Sequence, residues 1–476
     1  MIVSRKRLCC CLFLCGTAFV LAGFLMDAED FQDDEVYDDP RNVFMAPENG
    51  NESNIDYRYK KVYLPQENET RYPIIVWWTA FTGYQRVVWD CARGSCLFTH
   101  SRTEFDNPLT EAFMFYGTDI VWDDLPIPRK PHHLWGVIHE ESVKNNWILG
   151  QPDGIQLFNI TSTFSRYSDF PVVLQFLENI DELTNPPLVS TAEKNRLRSS
   201  LASVIYLHSD CDPPSDRDSY MRELMKYISV DSYGKCLHNK DLPEHLVNPL
   251  TYDTNDLHAI QAQYKFSISF ENALCHDYIT EKFWRPLLIG SVPVVRGSPT
   301  IRDWAPRDSI IVAEEFESPK ELAEYLLYLD KHDDEYEKFL KYKTEGIGNE
   351  RLHEAMETRM YVVNEVKGKN SIEAFECYVC DKILERKELL SEGKQPEPLV
   401  ANLSHIDCPA PHHAVDSIDV TIASFTNSAE IKFWIWHEMC SRKQARMIRE
   451  LVESGQPYGD NFETTLREAC LDVTPG

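Results

Sequence analysis

The segment Phe270 to Pro299, FENALCHDYITEKFWRPLLIGSVPVVRGSP, constrains this chain more than any other stretch. It reads as the end of a strand, a turn, one amphipathic helix and a second strand. Tyr278, Glu281, Lys282 and Arg285 are spaced by three and four, so they share one helical face. Ile279, Phe283 and Leu287 recur every fourth residue and form a face that can be buried. Asp277 is the expected N-cap. A strand thus delivers the chain to a helix start beside two cations, which suits a phosphate ester carrying a sugar. A solvated, charged helix face is the plain alternative for the same stripe.

The chain has 476 residues, room for a two-lobed enzyme plus extras. Its formal charge of −28 argues against a nucleic-acid partner. Part of that charge is local: Asp27 to Asp39 carries eight acidic residues in thirteen positions, a pattern of solvated, extended chain. An anionic substrate then needs a basic cluster, and Lys282, Arg285, Arg296 and Arg302 are candidates.

Leu8 to Met26 is an uncharged, mostly apolar run of 19 residues, preceded by Arg5, Lys6 and Arg7. It is long enough to span a bilayer as a type II signal-anchor, with the N-terminus cytosolic and the body luminal. A cleaved signal peptide is the rival, since Val20-Leu21-Ala22 suits cleavage. Either way the body enters the secretory pathway, in the Golgi or the endoplasmic reticulum. Sequons at Asn51, Asn68, Asn159 and Asn402 fit that compartment. So do fourteen cysteines. Cys9, Cys10, Cys11 and Cys15 lie in or beside the apolar run, where palmitoylation is an option and disulfides are not expected. The other ten are an even number in an oxidising space, where disulfides are the default. Cys91 with Cys96, and Cys377 with Cys380, are expected to close small local loops; no second Cys-x-x-Cys completes a zinc site.

The expected organisation is a cytosolic tail (1–7), an anchor (8–26), an acidic stem (27–70), a first lobe (71–199), a second lobe (200–365) and a cysteine-bearing extension (366–476), whose part beyond 380 has no assignable fold. Ile74–Trp78, Ala112–Tyr116 and Trp135–His139 read as buried strands of the first lobe, and Phe170–Leu183 has helical character. In the second lobe, strands at Ser203–Leu207, Tyr264–Phe270 and Val292–Val295 alternate with helices at Asp216–Ile228 and Glu321–Leu340. Ser215 with Asp218 resembles a capping box. The alternation predicts an α/β fold: two parallel-sheet lobes around a cleft.

Ligands of such sheets bind outside the carboxyl ends of the strands. Arg217 lies in the first turn after strand 203–207, and Tyr278, Glu281 and Lys282 follow strand 264–270. Glu140 and Glu141 follow strand 135–139. Carboxylates of one lobe would face cations of the other, a layout for moving a group from a phosphate-bearing donor onto a hydroxyl. An ordinary surface pair explains Glu140 and Glu141 equally well. Neither GxxxxGK[ST], HExxH nor GxSxG occurs. Asp210-Cys-Asp212 and Asp216-Arg-Asp218 match the short Asp-x-Asp pattern of metal-dependent glycosyltransferases. The second pair is better explained as a charged first helical turn. No metal or cofactor is inferred.

The segment DYITEKFWRPLLIGSVPVVRGSP resembles the donor-binding signature of glycosyltransferase family 10, the α1,3-fucosyltransferases. The resemblance extends over about residues 72 to 380, through AFMFYGTD, HEES at 139–142, FNITSTFSRYSD and RDSYMRELMKYISVDSYGKC. FNITSTFSRYSD and RDSYMRELMKYISVDSYGKC, with SDCDPPSDRDSY, look most like the divergent animal fucosyltransferase 10 and 11 subgroup, also described as protein O-fucosyltransferases 3 and 4. The family implies a GT-B fold, an inverting mechanism, GDP-β-L-fucose as donor and no required metal. It makes Arg217 and Lys282 the pyrophosphate cations, and Tyr278 and Glu281 contacts to the donor nucleotide. Glu141 becomes the general base, with Glu140 as the alternative. Asn272 falls in the Phe-x-Asn-Ser turn, where Ala273 replaces serine. The subgroup implies Ser or Thr of a folded, EMI-type secretory domain as acceptor. Transfer to GlcNAc of glycans, or a non-catalytic luminal binding module or chaperone, are the other readings.

Overall fold

The computed structural model describes residues 71–476, except 80, 247–253, 364–367, 413, 415–428, 460, 472 and 474–476. The anchor, the stem, Asn51 and Asn68 fall outside the described residues. Among those described, no helix is long and apolar enough to cross a membrane.

Six strands form the first sheet: β1 (Ile74–Trp77), β2 (Arg86–Asp90), β3 (Ser95–Thr99), β4 (Thr110–Tyr116), β5 (Leu134–His139) and β6 (Ile160–Thr163). Their order is β2-β3-β1-β4-β5-β6, parallel except for the antiparallel β2–β3 pair. The second sheet is parallel throughout, in the order β11-β10-β9-β7-β8. Its strands are β7 (Val204–Tyr206), β8 (Val230–Ser232), β9 (Phe266–Phe270), β10 (Val292–Arg296) and β11 (Ile311–Val312). β1, β5, β9 and β10 are buried at every position, as strands covered on both faces must be. The expected α/β class and the central strands are therefore present.

Several local expectations are corrected. Phe170–Leu183 is not a regular helix; it ends in a short 3-10 turn at Ile180–Thr184. Pro171 and the turns around it break the periodicity. Helix Arg217–Leu224 has no capping box: its N-cap is Asp216, in the left-handed region at φ 53°, without a side-chain cap bond. Ser215 instead donates its hydroxyl to the Glu271 carbonyl, at 2.7 Å. The expected helix at 321–340 is three pieces, Pro319–Lys331, Asp333–Tyr336 and a 3-10 turn at Glu337–Leu340.

The described part of the extension is ordered around two long helices. Helix Ser371–Ser391 lays Phe375, Val379 and Ile383 on the first sheet against Trp77, Trp89 and Phe98. Glu376, fully buried, accepts from the indoles of Trp77 and Trp89, each at 2.7 Å, and from the Tyr84 hydroxyl. A buried carboxylate with three donors costs far less than an unpaired one. This packing also overturns the local cysteine pairing. The disulfides join Cys91 to Cys377 and Cys96 to Cys380, two rungs between the β2–β3 hairpin and the helix. Cysteines three apart on a helix present neighbouring side chains to one partner surface, so both bond outward. Cys211–Cys236, Cys275–Cys408 and Cys440–Cys470 make five disulfides among the described residues.

The two described sequons differ. The Asn159 Oδ1 accepts from the Trp135 backbone at 2.8 Å and from Arg129, while Nδ2 donates to the Leu399 carbonyl at 2.7 Å. Asn402 is exposed. Glycopeptide mass spectrometry is expected to find glycan on Asn402 and none on Asn159. Asn159→Ala should lower stability by about 1–3 kcal/mol through the stranded partners.

Candidate active site

β7 and β9 are neighbours, while β8 and β10 lie outside them, so the strand order reverses between β7 and β9. Their carboxyl ends therefore open a crevice suited to a ligand. His208, just past β7, is buried with Nε2 3.0 Å from the Phe270 carbonyl. Arg217, 1% exposed, donates to that carbonyl at 3.0 Å and to the Asp210 carbonyl at 2.6 Å. Its Nε has no partner among the described residues. Burial, then the charges of Arg217 and Lys282, push the His208 imidazole well below its ordinary value, so it is neutral beside two cations.

The following helix is Glu281–Ile289, and Thr280 caps it. Asp277 is not the N-cap: it sits at φ 65° and 1% exposure, facing back to the first lobe. It accepts from Arg166 Nε at 2.8 Å, Thr300 at 2.6 Å and the Trp304 indole at 2.9 Å. Burial would raise its carboxyl, but these donors outweigh it and hold Asp277 below the usual range. Tyr278 consequently lies outside the helix, so the four-residue stripe is not one helical face.

Two local devices fix the helix. Pro286 has no N–H, which leaves the Lys282 carbonyl without its helical donor. The Ser269 hydroxyl of β9 donates there at 2.7 Å, tying the first turn to the sheet. Gly290 ends the helix at φ 81°, and a Cβ there would meet Pro187 at 2.5 Å, so only glycine fits. Lys282 Nζ lies 3.1 Å from Glu281, 3.1 Å from the Thr280 hydroxyl and 3.7 Å from Glu271. Burial would lower this ammonium, but Glu281 and Glu271 outweigh it and hold it above the usual lysine range.

Two hydrogen bonds of adjacent residues join the lobes. The Tyr278 hydroxyl donates to Glu141 at 3.0 Å, and the Ser142 hydroxyl donates to the Asn272 Oδ1 at 2.8 Å. Glu140 turns the other way: it accepts from Tyr116 at 2.7 Å, and its other oxygen is buried without a partner among the described residues. Burial pushes the Glu140 carboxyl up. Thus Glu141, Tyr278, Asn272, Glu281, Lys282 and Arg217 gather at one cleft, while Glu140 belongs to the first lobe. Arg285 contributes charge near His208; Arg296 and Arg302 line a separate cavity. The Asp-x-Asp carboxylates have protein partners: Asp210 pairs with Lys144, Asp212 with Arg222 at 3.0 Å, Asp216 accepts from the Ala414 backbone at 3.0 Å, and Asp218 accepts from the Tyr206 hydroxyl.

Sequence reasoning missed the strap formed by residues 401–412 and Ala414. Ala401 donates to the Phe158 carbonyl at 3.0 Å, and Ser404 and His405 accept from Ser165 and Thr163 beside β6. Asp407 then accepts from the His276 backbone at 2.8 Å, and Cys408 is bonded to Cys275, three residues past Asn272. Helix Ala429–Ser454 continues the clamp: Trp434 donates to the Asp212 carbonyl at 2.7 Å and stacks on Trp147. Only the cysteine parity hinted at this. A Cys275→Ser, Cys408→Ser double variant is expected to lose about 2–4 kcal/mol of stability. Its KM for the donor should rise more than its kcat falls, read by denaturant unfolding and steady-state kinetics.

Family models match both lobes: "Glycosyltransferase family 10 (fucosyltransferase) C-term" over residues 197–394 and "Fucosyltransferase, N-terminal" over residues 70–175. GDP-fucose protein O-fucosyltransferase 3 of Canis lupus familiaris is 42% identical over 472 residues, 96% of this chain and 97% of that protein. The Homo sapiens protein of that name is 42% identical over 478 residues, covering 96% and 97%. The Bos taurus one is 46% identical over 396 residues, covering 83% and 81%. A crystal structure of α1,3-fucosyltransferase with GDP is similar at a TM-score of 0.39 and 13% identity, over 68% of this chain and 94% of that one. With both lobes matched and relatives this similar across nearly its whole length, the chain is a fucosyltransferase of glycosyltransferase family 10.

Proposed function

We propose that this chain moves L-fucose from GDP-β-L-fucose to a Ser or Thr hydroxyl of a folded, EMI-type secretory domain, by inversion and without a metal. The observation that carries this is the cross-cleft pairing of Glu141 with Tyr278, beside the Arg217–Lys282 cations. The two sheets then act as the lobes of a GT-B enzyme, with donor below and acceptor above the cleft. Glu141 takes the proton of the acceptor hydroxyl as its oxygen attacks the anomeric carbon. The bond from that carbon to the β-phosphate oxygen breaks, and its electron pair leaves with GDP. Arg217 and Lys282 neutralise the charge that develops there. The names of the relatives support a protein acceptor, and the five disulfides fit work in an oxidising lumen. An N-terminal anchor over residues 8–26 would hold the enzyme at that membrane.

The test is one assay: the purified enzyme with GDP-fucose, offered either a folded disulfide-rich protein domain or a GlcNAc-terminated glycan. Fucose on Ser or Thr of the protein is expected. Transfer to the glycan alone would overturn the acceptor class, and no turnover on either would overturn the reaction.

A further inference from the structure

Helix Ala429–Ser454 buries one face and leaves another open. Trp434, Ala445, Ile448 and Val452 fall on one stripe and pack in or against the core around Trp147 and Ile155. Phe433, Ile435, Trp436 and Met439 lie off that stripe. Phe433 is 50% exposed and Met439 38%, and Ile435 and Trp436 are half-buried. The Phe433 and Trp436 rings lie 6.1 Å apart, centroid to centroid. Further along, the open side becomes basic: Arg442, Lys443 and Arg446 are all exposed. A single exposed apolar side chain needs no explanation, but a contiguous set marks an interaction site. Aromatic residues, Met and Arg are also the types that protein interfaces favour.

The patch adjoins the cleft. Glu141 and Ser142 lead directly into the 3-10 turn Val143–Asn145 and then Trp147, which is 5% exposed. The Trp147 ring stacks on Trp434, 5.9 Å between centroids, and lies 5.9 Å from His437; Lys144 Nζ lies 6.0 Å from the Trp434 ring. One short segment therefore ties the Glu141 carboxylate to the base of the patch. The family models stop at residue 394, so this helix is an addition to the two lobes that they describe. The protein O-fucosyltransferase 3 relatives align over 96% of the chain, a share too large to leave the helix out. Resting on the protein-acceptor reading, we propose that Phe433, Ile435, Trp436 and Met439 form a docking platform for a folded acceptor protein, one whose surface presents an apolar patch edged by carboxylates. The aromatic rings supply the anchors that become buried. Arg442, Lys443 and Arg446 steer the acidic edge towards them. Trp434 and Trp147 hold the platform in place beside Glu141, so the docked domain delivers its Ser or Thr to the cleft. Recognition of a folded surface then comes from the extension, and transfer from the two lobes.

Steady-state transfer from GDP-fucose to a folded EMI domain is measured on the full chain and its variants, with hydrolysis of GDP-fucose to free fucose as the acceptor-independent activity. Phe433→Ser with Trp436→Ser is expected to raise KM for the domain by about tenfold or more, the loss of two interface anchors. Hydrolysis and KM for GDP-fucose should stay as in wild type. Met439→Glu sets a carboxylate on the platform without emptying a packed position, and should raise KM for the domain by a similar factor. Tyr328→Ser, at a residue 46% exposed on helix Pro319–Lys331, is the control and should leave that KM unchanged. Denaturant midpoints check that each variant folds. Wild-type KM for the domain in the double variant or in Met439→Glu overturns the platform, and so does a fall in hydrolysis, which would place the effect in the donor site. If at unchanged KM the double variant no longer sediments with phosphatidylserine vesicles, or no longer forms a dimer that wild type forms, the patch serves a membrane or a second copy and the proposal is overturned. Failure of wild type to fucosylate the domain while it still hydrolyses GDP-fucose would instead overturn the protein-acceptor reading beneath it.

Discussion

Glu141→Gln is expected to lower kcat by about 10²–10⁴-fold, the range for loss of a positioned general base. Glu140→Gln should stay within about tenfold of wild type. The two carboxylates are adjacent in sequence but opposite in surroundings. Glu141 is held by the Tyr278 hydroxyl of the second lobe at 3.0 Å. Glu140 is turned into its own lobe and accepts from Tyr116 at 2.7 Å. In the proposed reaction the base must reach the acceptor hydroxyl while the donor lies in the other lobe, and the bond from Tyr278 places Glu141 at the junction of the two. Glutamine keeps the size and can still accept from Tyr278, so the fold survives and the proton acceptor is lost. Steady-state kcat at saturating GDP-fucose distinguishes the two positions. If Glu140→Gln is the inactive variant and Glu141→Gln is not, the base is Glu140.

The strand–helix–strand reading of residues 270–299 carried most of what the sequence could reveal. β10 is buried at every position, as its run Val292-Pro293-Val294-Val295 suggests, whereas β9 is buried throughout although its sequence, Phe-Ser-Ile-Ser-Phe, alternates like a half-exposed strand, so its second covered face was not legible from the pattern. The stripe Tyr278–Arg285 failed in a specific way. The helix begins at Glu281 because Thr280 caps it, and Asp277 takes a left-handed conformation to meet Arg166. Arg166 lies 111 residues away in sequence, and no local pattern encodes that pairing. Tyr278 became more informative once freed from the helix, since its hydroxyl crosses the cleft. The disulfides failed for a related reason: Cys377 and Cys380 look like a local loop until their helix is known to lie on the β2–β3 hairpin. The strap's path across both lobes depends on tertiary packing alone. Of Arg285, Arg296 and Arg302, grouped with Lys282 by charge, only Arg285 stays near the cleft; Arg296 at the end of β10 and Arg302 in the 3-10 turn Ile301–Asp303 line the neighbouring cavity.

Lys282→Ala is expected to reduce kcat by about 10²–10³-fold or more, the loss typical of removing one preorganised charge from a developing anion. The interpretation needs a control, because Lys282 also sits 3.7 Å from buried Glu271. Removing the ammonium leaves that carboxylate without its nearest cation. Burial already pushes Glu271 up, and Lys282 is the strongest influence opposing it. In the variant the Glu271 carboxyl therefore rises further and binds a proton more readily in the folded state than in the unfolded one. Stability then falls as pH rises through that raised value and recovers below it. The stability deficit of Lys282→Ala relative to wild type should accordingly be larger at about pH 8 than at about pH 5.5, read as denaturant midpoints. Its activity should stay low at both, because no protonation of Glu271 restores the missing positive charge. Recovery of transfer at the lower pH would make the defect one of folding, and wild-type turnover at either pH would remove Lys282 from the donor site.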